Sequence, residues 1–189
     1  STKAFICQLI ILQMLNIKFG SDFLKITPEQ RSNLLKGLLK LPRLYSEVLS
    51  QNENIKKLCK KFSGSHSVLF LGRDMFYPIA LEGALKLKEI SYIHAEGYAS
   101  GELKHGPIAL IDNNMSVVAL NPSNNVFQKM LSNLEEVKAR NGKIILFTDK
   151  KGEELSKNLT KAIFQLPTCP DFVAPILYVL PLQLIAYYT

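Results

Sequence analysis

The chain has 189 residues, 47% of them hydrophobic and 21% charged, the proportions of an ordinary globular domain with room for one substantial core. A net charge of +7 and a pI of about 9.3 admit an anionic ligand, but the Lys and Arg residues are scattered. The densest run, Lys56-Lys57-Leu58-Cys59-Lys60-Lys61, reads as a solvated helix face; without a recognition-helix, zinc-finger or RNA-binding aromatic pattern, nucleic acid is not expected as a partner.

The first 62 residues read as helices. Ala4 to Lys18 carries a helical pattern, and its apolar run Ala4–Leu15, interrupted by Gln8 and Gln13, is too short to span a membrane. It also lacks the basic start and small-residue cleavage site of a signal peptide, so it is expected to be a buried helix and no membrane partner is expected. Thr27-Pro28-Glu29-Gln30 is a helix start, with Thr as N-cap, Pro at the first helical position and Gln three residues after the cap. Leu41-Pro42 breaks that helix, and two more follow over about 42–50 and 53–62.

From residue 64 the pattern changes. Ser67–Leu71, Ser116–Leu120 and Lys143–Phe147 are short apolar runs, Ala162–Leu166 is a weaker one, and helical segments lie near 78–91, 125–140, 152–159 and 173–188. The last helix is apolar but interrupted by Pro175, Pro181 and Gln183, so it too is expected to be buried rather than to span. Wholly apolar strands alternating with helices predict an α/β three-layer domain, a mostly parallel doubly wound sheet covered on both faces, preceded by an N-terminal helical segment. The division falls at 1–62 and 63–189. Ligands of such sheets sit beyond the carboxyl ends of the strands, where the segment after Leu71 begins. The ends of the chain are abrupt, without an initiating methionine, and suggest part of a longer protein. Cys7, Cys59 and Cys169 are odd in number and far apart; they suggest neither a disulfide framework nor a metal site, and fit a reduced, cytoplasmic setting.

Chemistry concentrates in Leu71–Asp112 (LGRDMFYPIALEGALKLKEISYIHAEGYASGELKHGPIALID). Glu82, Lys86 and Glu89 are spaced by four and three and share one helix face, with Leu81, Leu85 and Ile90 expected on an apolar side. Gly83 in the helix interior costs about 1 kcal/mol relative to Ala and implies close packing or room for a ligand. The charges read either as a surface ion pair with a solvated Glu89, or as a tuned acid/base at Glu89; spacing alone does not choose. Ser100-Gly101-Glu102-Leu103-Lys104-His105-Gly106-Pro107 reads as one turn of helix capped by Ser100 and stopped by Gly106-Pro107, with Glu102 at its positive end and His105 at its carboxyl end. His105 reads as a structural histidine or as one titrating near neutrality. His66, in a polar turn, and His94, in an apolar context, are weaker candidates. No metal-ligand cluster, nucleophile elbow or Gly-Lys-Ser phosphate loop occurs.

At ALEGALKLKEISYIHAE (Ala80–Glu96) and GELKHGPIALID (Gly101–Asp112) the chain resembles the bacterial form of the glucosamine-6-phosphate synthase family, the glutamine–fructose-6-phosphate aminotransferases. Ser1–Phe5, Leu134–Arg140 and Pro175–Tyr187 are similar to the same family, so the resemblance covers essentially the whole chain. It implies the tail of a first sugar isomerase (SIS) domain and most of a second, without the family's glutaminase domain. It further implies formation of glucosamine 6-phosphate from fructose 6-phosphate and glutamine-derived ammonia, with no metal or organic cofactor, the first step toward UDP-N-acetylglucosamine. Glu89 matches the family's acid/base between sugar C1 and C2. His105 matches its ring-opening histidine, which reaches the site from the neighbouring subunit of a homodimer. Lys86 matches a lysine that tunes or relays, and Ser1 and Lys3 match the edge of the sugar pocket. Three departures stand out. The family's Ser/Thr phosphate loop precedes Ser1, and Gly72-Arg73-Asp74-Met75 offers no substitute. Asp74 stands where the family carries a second glycine. The family's Schiff-base lysine falls beyond Thr189. The isolated chain is therefore expected to have little or no activity. The second reading is a non-catalytic sugar-phosphate-binding SIS module.

Overall fold

A computed structural model describes residues 2–62, 65 and 67–189. Five strands, β1 (Ser67–Gly72), β2 (His94–Ala99), β3 (Ser116–Leu120), β4 (Lys143–Asp149) and β5 (Ile163–Leu166), form one sheet in the order β2-β1-β3-β4-β5, with every pairing parallel. Among the described residues, eight α-helices accompany it: α1 (Thr2–Asp22), α2 (Pro28–Leu39), α3 (Leu41–Ser50), α4 (Asn52–Cys59), α5 (Phe76–Ser91), α6 (Phe127–Ala139), α7 (Lys150–Ser156) and α8 (Ala174–Tyr188).

The expected three layers are present. Alternate strand residues point to opposite faces. Val68, Phe70, Val118, Leu120, Ile145 and Phe147 pack with α3, α4, α5 and α8 on one side. Leu69, Leu71, Val117, Ala119, Ile144 and Leu146 pack against Met130, Leu134 and Val137 of α6 on the other. Burial on both faces is why these strands are apolar without interruption. The helix start at Thr27 forms as expected: the Gln30 amide donates to Thr27 Oγ1 at 3.1 Å and the Thr27 amide donates to Gln30 Oε1 at 2.8 Å.

One strand escaped the sequence. β2 reads HAEGYA, with small residues toward α5. Gly97 is so close that a Cβ there would lie 2.9 Å from Leu81 Cα. Small residues permit close helix packing but give no hydrophobic signal, and an edge strand keeps its other face, here His94, Glu96 and Tyr98, partly exposed.

Two further expectations are corrected. α1 runs 21 residues and is long and apolar enough to cross a membrane by length and composition, so the argument from a short run fails. Nor is it wholly buried: Ile17 is the residue it buries fully, while Ile11, Leu12, Met14, Leu15 and Phe19 are exposed. Phe5, Ile6 and Leu9 nevertheless pack on the core, and Gln13 Nε2 donates to the Phe172 carbonyl at 3.4 Å. On α5, Leu81, Leu85 and Ile90 face outward at 43–50% exposure. The inward stripe is instead Phe76, Ile79, Ala80, Gly83, Ala84 and Leu87, which recurs at the three- and four-residue steps of a packed helix. The other apolar helix, α8, is buried along nearly its whole length.

Asp74 occupies the left-handed region at φ +55°, in the turn between β1 and α5. This conformation is natural for glycine, tolerable for Asp and strained for a β-branched residue. We expect Asp74→Val to cost about 1–2 kcal/mol and Asp74→Gly to be close to neutral, as read by urea denaturation. Equal stabilities for the two variants would show that the turn readily changes conformation.

Chain direction fixes where site residues can lie. β1 and β2 are parallel neighbours joined by α5, so α5 descends from the carboxyl end of β1 to the amino end of β2. The chain next returns to the other side of β1 as β3 and continues outward to β4 and β5. The sheet therefore switches direction between β1 and β3.

Candidate active site

Lys86 is the anomaly of α5. It is only 6% exposed, although lysine is almost never buried without a partner. Its Nζ lies 2.6 Å from Glu89 Oε2 and 3.8 Å from Glu82 Oε1. The Lys86 and Glu82 side chains are 8% and 10% exposed, whereas Glu89 is half exposed. A solvated ion pair between Glu82 and Lys86 does not describe this arrangement. The ammonium is buried between a sheltered carboxylate and one presented to solvent.

The electrostatics follow from that geometry. The hydrogen bond from Lys86 holds the Glu89 carboxyl below the usual glutamate range. The same bond raises Lys86. Burial pushes Glu82 upward, partly opposed by Lys86, and Glu82 Oε1 has no hydrogen-bond partner among the described residues. Carboxylates with opposite shifts around one ammonium form a unit able to hold and move protons. Glu82 was visible in the spacing; its sheltering was not, because burial depends on what α5 packs against.

Gly83 resolves toward packing rather than ligand space. A Cβ there would come within 2.7 Å of Leu182 Cδ1 and 3.0 Å of Phe70, so glycine is what lets α5 approach α8 and the sheet.

His105 is elsewhere. Ser100–His105 is a 3₁₀ segment following β2, stopped by Gly106 at φ +147°. Ser100 does not cap it: the side chain is fully buried and its Oγ has no partner among the described residues. His105 Nδ1 lies 2.6 Å from Glu102 Oε2, and both side chains are largely exposed. Glu89, on α5, precedes the amino end of β2, and His105 follows its carboxyl end; the six-residue strand between them is about 17 Å long. The structure joins Lys86 to Glu89 and does not join His105 to either within one chain.

Lys3 is exposed on the first turn of α1 and makes no hydrogen bond or ion pair among the described residues. The neighbouring Thr2 carbonyl accepts from Gln183 Nε2 on α8 at 3.4 Å, and Leu182 of α8 meets Gly83 of α5, so α1 begins on the helix pair that carries Lys86. Ser1 and His66 lie outside the described residues. His94 Nε2 sits 3.5 Å from Glu96 Oε1, and Tyr98 donates to Glu96 Oε2 at 2.5 Å, an edge-strand trio that the sequence did not suggest because β2 itself was missed. Among the described residues, no group of three or more His, Cys, Asp or Glu side chains could hold a metal ion, and the three cysteines are free.

Comparison with known proteins agrees with this architecture. Glutamine–fructose-6-phosphate aminotransferase [isomerizing] of Mesorhizobium japonicum is 50% identical over 188 residues, covering all of this chain and 31% of the relative; the chain thus spans about a third of such relatives. The C-terminal domain of glucosamine-fructose-6-phosphate aminotransferase from Francisella tularensis superposes with a TM-score of 0.93 at 43% identity, over 100% of this chain and 53% of that one. Tagatose-6-phosphate ketose/aldose isomerase from Escherichia coli shares the fold, with a TM-score of 0.67 at 19% identity over 78% of this chain and 41% of that one. Residues 61–189 match the SIS domain model. With its parallel β2-β1-β3-β4-β5 sheet and that match across most of its length, the chain belongs to the SIS domain family.

Proposed function

We propose that this chain is the isomerase part of a glutamine–fructose-6-phosphate aminotransferase, with residues 63–189 as its second SIS domain and 1–62 linking it to what precedes. The supporting observation is the buried Lys86 hydrogen-bonded to half-exposed Glu89, in a chain half identical to aminotransferases of that name. After ammonia replaces the C2 carbonyl oxygen of fructose 6-phosphate, Glu89 takes a proton from C1 and returns it to C2. The product is the aldose amine, glucosamine 6-phosphate. Lys86 keeps Glu89 ionised between turnovers. Lys3, and Ser1 before it, edge the sugar pocket. The three free thiols suit a cytoplasmic setting.

His105 opens the sugar ring from a second copy of the chain. The placement of Glu89 before the amino end of β2 and of His105 after its carboxyl end supports this arrangement. The exposed apolar stripe Ile11, Leu12, Leu15 and Phe19 on α1 also favours burial against further protein. The test is complementation in the whole protein: Glu89→Gln and His105→Ala are each inactive alone, and mixed assemblies recover activity because one of their sites retains both groups. Mixed assemblies as inactive as either parent would place both residues in one chain's site and remove the homodimer from the mechanism. If Glu89→Gln alone leaves turnover unchanged while sugar phosphate still binds, the chain is a binding module instead.

A further inference from the structure

The sequence presents Glu102 as a helix-start charge, but in the structure it is the partner of His105. Its Oε2 lies 2.6 Å from Nδ1 of the imidazole. The contact follows from the local backbone. Ser100–His105 is a 3₁₀ segment, and a 3₁₀ helix has about three residues per turn, so side chains three positions apart stand directly over one another. Glu102 and His105 have that spacing. An ionised carboxylate can only accept, so the shared hydrogen belongs to Nδ1. In the neutral imidazole the lone pair is then on Nε2, the nitrogen turned away from Glu102.

Stability does not explain the pair. The two side chains are 72% and 66% exposed, and an ion pair in water contributes little to folding. The backbone that carries them is nevertheless fixed on several sides. Leu103, between the two, is fully buried. Lys104 Nζ reaches Glu136 Oε1 on α6 at 2.9 Å, so the nearest cation in the segment is occupied. Gly101 lies against Arg73, where an added Cβ would be 3.2 Å from Nη1, and that guanidinium donates to Asn133 Oδ1 on α6 at 3.2 Å. Past His105 the chain turns at Gly106, whose φ is +147°, and a Cβ there would meet no described atom within 4 Å. A fixed backbone therefore presents an oriented imidazole to open surroundings.

We propose that Glu102 is a positioning residue for ring opening, holding the Nδ1–H form of His105 so that Nε2 meets the sugar. This rests on His105 being the ring-opening group, and adds which nitrogen acts and what holds it. In the furanose form of fructose 6-phosphate, C2 carries both the anomeric hydroxyl oxygen O2 and the ring oxygen O5. Nε2 takes the proton of O2. The electron pair of the O2–H bond closes the C2=O double bond, and the pair of the C2–O5 bond leaves on O5. The imidazolium then returns its proton to O5, giving the open ketose with a free 5-hydroxyl and a neutral imidazole. Glu102 stays ionised throughout and offsets the positive charge that develops one hydrogen bond away. A carboxylate that sets the tautomer and orientation of an imidazole acts in this way in the Ser-His-Asp triad.

The tautomer is read directly from the 189-residue chain carrying nitrogen-15-labelled histidine, at a pH where imidazole is neutral. His105, identified by the loss of its signals in His105→Gln, is expected with Nδ1 protonated and Nε2 bare, and Glu102→Ala should shift the proton toward Nε2. The function is read in the whole protein from exchange between the two anomers of fructose 6-phosphate, which requires ring opening and is measured by magnetisation transfer. Glu102→Ala should slow enzyme-catalysed exchange and kcat by about tenfold or more, the scale of a weakened acid/base, with little change in KM. With 5-deoxyfructose 6-phosphate, which has no O5 and closes no furanose ring, the loss should be much smaller. His105→Gln separates this role from the reading it rests on. If His105→Gln leaves anomer exchange at the parental rate, His105 does not open the ring and the role of Glu102 falls with it. If His105→Gln slows exchange and Glu102→Ala does not, His105 keeps its role and Glu102 loses its own. A bare Nδ1 in the parent chain, a tautomer that Glu102→Ala leaves in place, or losses of equal size with both sugars would each overturn the assignment of Glu102.

Discussion

Glu89→Gln is expected to lower turnover of fructose 6-phosphate by about a hundredfold or more in the whole protein, the scale of a positioned acid/base, while substrate affinity changes little. The amide keeps the shape and volume of the carboxylate but cannot accept a proton. The pH dependence tests the role further. Lys86 holds the Glu89 carboxyl below the usual glutamate range, so the base is already ionised at mildly acidic pH. The acid limb of kcat/KM, which reports the free enzyme, should therefore lie below that of an ordinary glutamate. Lys86→Met removes the hydrogen bond and should move this limb upward in pH. Wild-type turnover in Glu89→Gln, or an acid limb that Lys86→Met leaves in place, would return Glu89 to the status of a surface charge.

Removing the lysine should also cost the fold about 3 kcal/mol at pH 7, the lower part of the range for a buried pair that loses one partner. The reason is Glu82. It is sheltered beside Lys86, and its Oε1 has no hydrogen-bond partner among the described residues, so Lys86→Met leaves a largely buried carboxylate without the ammonium beside it. The sign with pH is determined by the direction of its shift. Burial already raises Glu82 above its unfolded value, and loss of Lys86 raises it more. The folded state therefore binds a proton more readily than the unfolded chain. The penalty is largest above the folded pKa of Glu82 and shrinks as pH falls through it. Urea denaturation of the chain at neutral and mildly acidic pH should show the gap between parent and Lys86→Met narrowing on acidification. The double variant Glu82→Gln/Lys86→Met should recover most of the loss at pH 7. A cost near zero at pH 7, the typical size for an exposed pair, would mean that Glu82 finds solvent.

The layered fold was legible because burial on both faces leaves a direct mark. Strands such as SVLFL and KIILF can afford no polar residue when helices cover each side of them, and breakers such as Leu41-Pro42 and caps such as Thr27 act through their own backbone. β2 was illegible because its inward residues, Ala95, Gly97 and Ala99, are small where α5 comes close, and smallness is not a hydrophobic signal. α5 shows the same limit from the other side. Its sequence offers apolar residues around much of the circumference, and only contact with α8 and the sheet selected Gly83, Ala84 and Leu87 for the interior and left Leu81, Leu85 and Ile90 outside.

The candidate site divides the same way. The spacing of Glu82, Lys86 and Glu89 follows from helical periodicity, so the sequence alone determines that the three share a face. It does not determine that Lys86 is buried, that Glu82 is sheltered and Glu89 presented, or that His105 stands at the far end of β2. Periodicity is local and can be read along a chain. Exposure, charge pairing and the ends of strands are set by which segments become neighbours, and only the tertiary structure decides that.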